Sequence, residues 1–138
     1  DFILNEQNLK PKQDLNEIIS PDKEAQIKEQ MEQVFGIDKK HLRKGYSIND
    51  LSKDTSIPTY LISVYINRKL ETNFSDLINQ RRIEECCLMM QSGKYTHLTL
   101  EGLAELCGFS NRNSFSSSFK KFKGSTPSQY LKSEKTES

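Results

Sequence analysis

The chain has 138 residues and no Trp, which is enough for one modest core or for two small cores that share a helix. Its net charge of +1 is the sum of −5 over residues 1–38, +7 over residues 39–133 and −1 over the last five residues, and this segregation favours an anionic partner. No run approaches the roughly 20 apolar residues of a membrane span, and no signal peptide is visible, so we expect a cytoplasmic segment without membrane contact.

The N-terminal part predicts an extended arm followed by a helix. Residues 1–23 are polar and favour a linker or N-terminal arm, with a short helix around Leu15 to Ile19. Because the chain begins with Asp1 instead of Met, we expect a fragment of a longer protein. Ser20-Pro21-Asp22 is a helix-start signal, and Gly36 is expected to end the helix that follows. The apolar residues of this helix form one stripe: Ile27, Met31, Val34 and Phe35.

A first helix-turn-helix is predicted over about residues 47–70. Ser47 and Asp50 have the spacing of a capping box, and Pro58 lies where a second helix begins. A short helix, a tight turn and a second helix are the outline of this motif. The outer face of the second helix offers candidate base-reading residues: Thr59, Tyr60, Ser63, Val64 and Asn67. For Tyr60 and Val64, packing against a neighbouring element is the alternative interpretation.

A longer helix is predicted over about residues 73–91. Thr72 or Asn73 caps its start, and Ser92-Gly93 ends it. Roughly 18 residues at 1.5 Å each span about 27 Å. We therefore expect a rigid linker helix.

The helix-turn-helix pattern then repeats over about residues 99–122. Thr99 is expected to cap a short helix, Gly108 to form the turn, and Ser110 to cap the next helix. Thr126-Pro127 begins a final capped turn, and residues 133–138 are expected to form a flexible tail. No strand-like alternation occurs, so the fold is predicted to be all-α.

The outer face of the last long helix is rich in short amides and hydroxyls, and no acid occurs between Ser110 and Leu131. Asn bonds both edges of adenine, Arg makes two bonds to guanine, and Ser serves either base. The candidate base-reading residues are Arg112, Asn113, Ser114, Ser117 and Ser118. The candidate phosphate contacts are Ser110, Asn111, Lys120, Lys121, Lys123, Arg68 and Lys69. A serine-rich solvated face is the alternative interpretation.

The sequence gives no sign of a metal site, a cofactor or an enzyme. Cys86, Cys87 and Cys107 are odd in number, and two of them are helical neighbours that point about 100° apart. We expect reduced thiols that act as small apolar residues. No carboxylate pair, Cys–His arrangement or phosphate loop stands out, so neither catalysis nor a cofactor is predicted.

The C-terminal part has many residues of a recognisable pattern at fixed spacing: Gly108-Phe109, Ser114-Phe115, Phe119-Lys120-Lys121, Gly124 and Thr126-Pro127-Ser128 with Tyr130. This pattern resembles the second helix-turn-helix of the AraC/XylS family of bacterial transcription regulators. Arg82-Ile83 resembles the arginine–aliphatic pair of the family's linker helix, and residues 46–74 match more loosely.

This resemblance implies a homeodomain-like, bipartite domain of seven helices over residues 24–132, with two helix-turn-helix units joined by the linker helix. It implies sequence-specific binding of double-stranded DNA in adjacent major grooves, regulation of transcription, and contact with RNA polymerase. A sensor or signalling domain N-terminal to this segment is a further implied partner. The insertion 93–97 is similar to that of membrane-anchored or signalling-fused members, which implies the cytosolic domain of a larger regulator.

Two positions depart from the family pattern. Ser117 stands where a longer polar or basic side chain is frequent, which affects the bases that are read. Glu71 replaces a usual glycine after the first reading helix, which affects the geometry of that loop. A helical protein–protein module that does not bind DNA is the alternative function.

Overall fold

A computed structural model describes the backbone of residues 18–137 and the side chains of residues 18–134. Between Pro21 and Glu137 it has seven α-helices and no strand, which confirms the all-α fold. The described residues cluster into two compact units, one formed by 18–40 and 46–77 and the other by 41–45 and 78–137. Most of the helix predicted around Leu15 to Ile19 lies outside the described residues.

The helices follow the predicted order along the chain. Single π-helical turns at Gln33–Ile37 and Tyr65–Lys69 extend the first and third helices, and a 3₁₀ turn covers Lys40–Leu42. The α-helices are α1 (Pro21–Glu32), α2 (Ile48–Thr55), α3 (Thr59–Val64), α4 (Phe74–Ser92), α5 (Leu100–Leu106), α6 (Arg112–Lys123) and α7 (Pro127–Glu137).

Side-chain caps begin α1 and α2 as the sequence predicts, whereas α3 follows Pro58 without a side-chain cap. The Ser20 hydroxyl accepts a hydrogen bond from the backbone N–H of Lys23. Ser47 and Asp50 form a reciprocal capping box, in which each side chain accepts from the other residue's backbone N–H. These two bonds satisfy N–H groups that have no partner within α2. At α4, the residue that caps the helix is Asn73, whose Oδ1 accepts from Asp76 N at 2.8 Å.

The core of the first unit is aliphatic. α1 contributes Ile27, which is fully buried, and Ile19 just before the helix is fully buried as well. The packed part of this unit thus includes residues that the sequence pattern assigns to the arm. The other side chains with at most 2% exposure come from α2, α3, the turn between them and the two π-helical turns: Leu51, Ile57, Ile62, Val64, Ile66, Val34 and Phe35.

The end of α1 differs from the prediction. Gly36 does not stop the helix but lies inside the π-helical turn Gln33–Ile37. The left-handed residue that follows this turn is Lys39, with φ of +51°. A glycine ends a helix when it takes the left-handed conformation, and here Lys39 takes that conformation three residues later.

Two further non-glycine residues of the first unit are left-handed. Ser56 ends α2 with φ of +59°, and Glu71 follows the second π-helical turn with φ of +54°. Glu71 stands where the AraC/XylS pattern usually has glycine, and it adopts the conformation that glycine favours. The left-handed conformation costs an L-residue roughly 1–2 kcal/mol, so this loop carries strain that a glycine would remove.

A chain of aromatic rings forms the core of the second unit. Phe115 packs edge-to-face on Phe109 with ring centroids 5.5 Å apart, and Phe119 packs on Phe115 at 5.7 Å. Tyr130 of α7 continues the chain at 5.4 Å from Phe119. Edge-to-face pairs of this kind contribute about 0.5–1.5 kcal/mol beyond the area that they bury. They fix α6 and α7 on the rest of the unit.

Arg82 of α4 holds the turn between α5 and α6. Its side chain is buried, and Nε donates to the carbonyl of His41 at 2.7 Å while Nη2 donates to the carbonyl of Arg43 at 3.0 Å. The guanidinium lies 5.7 Å from the ring centroid of Phe109. Gly108 has φ of +95°, and a Cβ there would lie 2.8 Å from Arg82 Nε. The turn therefore needs glycine for its conformation and for space.

The three cysteines are reduced and buried in the second unit. Cys107 Sγ lies 3.8 Å from Met89 Sδ, and a hydrogen bond with Cys107 together with burial raises the pKa of Cys86. The three buried thiols act as small apolar residues, as predicted.

The last helix is longer than the single turn that Thr126-Pro127 predicts. Thr126 Oγ1 accepts from Gln129 N at 3.1 Å, and α7 then continues through Glu137. The segment 132–137 is rich in Lys and Glu, which propagate a helix once it has begun. The predicted flexible tail at 133–138 overlaps this helix.

We predict that Gly108→Ala lowers the free energy of unfolding by about 2–5 kcal/mol, because left-handed strain and overpacking both apply. Gly93→Ala is the matched control, since Gly93 has φ of +72° and a Cβ there would meet no atom within 4 Å. It is expected to cost only about 1–2 kcal/mol. Urea unfolding of both variants measures the difference, and equal destabilisation would contradict the contact at Gly108.

A second prediction concerns pH. Burial lowers the pKa of His41 to about 4 from its ordinary value of 6.5. Between these values the unfolded chain binds more protons than the folded chain, so the free energy of unfolding falls as pH drops from about 6.5 towards 4. The slope for one proton is at most about 1.4 kcal/mol per pH unit.

Urea unfolding between pH 7 and pH 5 measures this slope. His41→Gln is expected to flatten the profile, whereas His97→Gln, at an exposed residue, is expected to keep the slope of the unsubstituted chain. The same slope with and without His41 would show that His41 is not the group that titrates.

Candidate nucleic-acid interface

The exposed face of α6 brings together most of the side chains predicted to read bases. Arg112, Asn113, Ser114 and Ser117 are all exposed on this helix. α6 has 12 residues and packs through Phe115 and Phe119, so this face projects from a fixed core. The arrangement offers amide, hydroxyl and guanidinium groups on a rigid helix, as major-groove recognition requires.

Asn111 caps α6, whereas the sequence pattern predicts Ser110 as the cap, and that prediction is wrong. Asn111 has an extended backbone, with φ of −152°, and its Oδ1 accepts from Ser114 N at 2.8 Å. Its carboxamide is thus used within the helix start, although Asn111 remains exposed. Ser110 lies exposed one residue earlier.

The C-terminal turn of α6 is basic. Lys120, Lys121 and Lys123 are exposed, and Gly124 ends the helix in the left-handed conformation. Lys121 Nζ lies 5.6 Å from the ring centroid of Phe122. Cations at a helix C-terminus interact favourably with the helix dipole, and here they also supply positive charge for an anionic partner.

The equivalent face of α3 is less open. Thr59, Tyr60, Ser63 and Asn67 are each only partly exposed. Asn67 Nδ2 donates to the carbonyl of Ser63 at 2.9 Å and to its hydroxyl at 3.3 Å. The carboxamide of Asn67 therefore already has a partner within its own helix, which leaves fewer groups for base contacts.

Two predicted base-reading residues are buried, and the prediction is wrong for both. Val64 has no exposed surface, and Ser118 is 8% exposed. Val64 lies three residues after Leu61, and Ser118 lies three residues after Phe115, so helical periodicity places both on the apolar face. For Val64 the alternative interpretation, packing within the unit, is correct.

The predicted phosphate contacts of the first unit differ in exposure. Arg68 is partly exposed and Lys69 is exposed at the end of the π-helical turn. Lys69 Nζ lies 3.4 Å from Glu24 Oε2 of α1. An exposed ion pair of this kind is worth at most about 1 kcal/mol, so phosphate binding can displace it.

Sequence reasoning missed two ion pairs beside α6. Arg112 Nη1 lies 2.9 Å from Glu101 Oε1, and Lys44 Nζ lies 2.8 Å from Glu105 Oε1. Hydrogen bonding and the charge of Lys44 lower the pKa of Glu105. The signal in the sequence is the spacing of the two acids, which puts Glu101 and Glu105 on one face of α5.

A family model described as "Helix-turn-helix domain" matches residues 51–133, which is more than half of the chain. The chain belongs to the AraC-type helix-turn-helix family. This domain binds DNA and regulates transcription, and the family is one of regulators and not of enzymes. The resemblance seen in the sequence is thereby confirmed.

One solved structure has the same fold as this AraC-type domain. It is that of a protein of unknown function from Listeria innocua, with a TM-score of 0.60 and 24% sequence identity. The match covers 74% of this chain and 94% of that chain. No curated protein matches the sequence. No helix among the described residues of the AraC-type domain is long and apolar enough to cross a membrane.

We predict that Val64→Ala destabilises the AraC-type domain without changing which base pairs it prefers. Loss of two buried methyl groups is expected to lower the free energy of unfolding by about 1–3 kcal/mol. Thr59→Ala, at a partly exposed residue five positions earlier, is the control for stability alone and is expected to change stability little. Urea unfolding and binding to duplexes with single base-pair changes measure the two effects. An altered base preference in Val64→Ala would contradict the burial of this residue.

Proposed function

We propose that this AraC-type domain recognises specific duplex sequences by placing α3 and α6 in adjacent major grooves, and that it thereby regulates transcription. The observation that carries the proposal is the exposed polar face of α6, which has no acidic residue along its length. The 19 residues of α4 span about 28 Å, which is comparable with the 34 Å of one duplex turn.

In this proposal the two reading helices have unequal roles. Arg112, Asn113, Ser114 and Ser117 of α6 read base edges, with Arg112 suited to guanine and Asn113 to adenine. α3 reads fewer bases through Thr59, Tyr60, Ser63 and Asn67, because its side chains are partly buried and Asn67 already bonds Ser63. α3 therefore contributes position and affinity more than base choice.

Phosphate contacts supply most of the affinity. Lys120, Lys121 and Lys123 follow the base-reading residues on α6, and Ser110 and the start of α6 offer further donors. In the first unit, Arg68 and Lys69 take the same role. Neutralising several phosphates releases counterions, which makes binding depend steeply on salt.

The wider role follows from the family. We propose that the domain acts in the cytoplasm with RNA polymerase as a partner, under the control of a sensor or signalling domain on the N-terminal side. The folded segment begins before the predicted boundary at residue 24, because α1 starts at Pro21 and Ile19 is fully buried. We propose that the residues before it connect the domain to its regulator.

The test is binding to a duplex selected from a random pool, measured by fluorescence anisotropy between 50 and 200 mM salt. With four or more phosphate contacts, we predict that affinity falls at least about 100-fold over this range. Arg112→Ala is expected to weaken binding to the selected duplex by about 5- to 150-fold, which corresponds to one lost bidentate base contact.

Lys94→Ala is the matched control, because Lys94 is an exposed cation of the same unit outside α6. It is expected to change affinity less than about two-fold, because Lys94 lies outside both proposed reading helices. Binding that does not depend on salt, or that is absent for every duplex, would favour a protein–protein module instead.

A further inference from the structure

Two carboxylates face the start of α6 from α5. Glu101 and Glu105 lie one helical turn apart, and each is paired with a cation of the same unit, Arg112 and Lys44 respectively. All four side chains are about half exposed or more, so the pairs contribute little to stability. Carboxylates beside a DNA-reading helix also repel phosphate, which lowers the affinity for any duplex. A contribution to sequence recognition would offset this loss of affinity.

We propose that Glu101 is a positioning residue that sets the sequence specificity of Arg112, a proposal that rests on the DNA-binding function above. Glu101 Oε1 accepts from one terminal nitrogen of the guanidinium, Nη1, at 2.9 Å. A guanidinium has five N–H donors in a fixed plane, so its other edge remains free for the two acceptors of guanine. The carboxylate thus fixes the direction in which Arg112 points.

The same ion pair opposes binding to arbitrary sequences. A phosphate contact by Arg112 requires the guanidinium to leave Glu101 or to bring phosphate close to a carboxylate. Replacing the Glu101 carboxylate by a phosphate, which carries the same charge, gains little binding free energy. Arg112 therefore adds little affinity for a duplex that has no guanine within its reach. Where guanine is in place, Arg112 is already ordered and loses less side-chain entropy on binding.

The position of Glu101 on α5 supports this role. It lies in the first turn of the helix, where the helix dipole favours an ionised carboxylate. Thr99 caps this turn by accepting from Gly102 N at 3.0 Å, which fixes the backbone that carries Glu101. Glu105 is bound to Lys44 and not to Arg112, so it provides an internal comparison on the same helix face.

The experiment compares Glu101→Gln with Glu105→Gln and with Glu84→Gln, an exposed acid of α4 in the same unit. Affinity is measured for the selected duplex and for a random duplex as a function of salt. Glu101→Gln is expected to bind the random duplex about five-fold more tightly at 0.15 M salt, with a slope steeper by about 0.9, because Arg112 gains one phosphate contact. Affinity for the selected duplex is expected to fall, so that the specificity ratio drops about ten-fold or more.

Glu84→Gln reports the effect of net charge alone, and Glu105→Gln reports the loss of the neighbouring ion pair with Lys44. Both are expected to leave the specificity ratio within about two-fold. In an Arg112→Ala background, Glu101→Gln is expected to change the ratio no further. The proposal is overturned if Glu101→Gln behaves like Glu84→Gln while the unsubstituted domain binds the selected duplex. If the unsubstituted domain binds no duplex at any salt, the DNA-binding function itself fails.

Discussion

The buried guanidinium of Arg82 is the constraint on which the geometry of the second unit depends. A buried cation destabilises a fold by several kcal/mol unless polar groups compensate for the lost water. Here the carbonyls of His41 and Arg43 accept its hydrogen bonds, which draws residues 41–45 onto α4. Gly108 lies against the same guanidinium, so the turn that aims α6 is fixed by one side chain. The direction of α6 therefore depends on the hydrogen bonds and packing of the buried Arg82 side chain.

The turn between α2 and α3 in the first unit is similar to the turn between α5 and α6, but it contains no glycine. Its left-handed residue is Ser56, with φ of +59°, where the second unit has Gly108. Ser56 is exposed, so the turn accommodates a side chain at this position at the cost of left-handed strain. α3 then passes into a π-helical turn and ends at another left-handed residue, Glu71. A motif held by strained residues and with a partly buried outer face is better suited to docking on phosphate than to reading several bases.

Much of the fold could be predicted because local rules decide it. The capping box at Ser47, the cap at Thr99 and the turn at Gly108 each follow from short-range hydrogen bonds or from backbone freedom. The predicted cap of α6 was wrong because two neighbouring residues are both suitable caps. Asn111 replaces Ser110 as the cap because both side chains are good caps and only tertiary packing selects between them.

The candidate site was predictable in composition but not in detail. Ser118 is polar, yet it faces the core because it lies between Phe115 and Phe122 on the same stripe, and its small side chain fits there. The partner of Arg112 was not foreseen, since Glu101 is 11 residues away in sequence and meets it only through the turn. Contacts between helices depend on three-dimensional packing, which helical periodicity alone does not give.

In the proposed mode of recognition, α6 supplies base choice and α3 supplies position and affinity. Selection of bound sites from a random duplex pool tests this most directly, because it reports the information at every base pair. We predict one strongly specified half-site, with a weakly specified half-site about 10–10.5 base pairs away, one turn of the duplex. Two equally specified half-sites, or the absence of any enriched sequence, would contradict the claim.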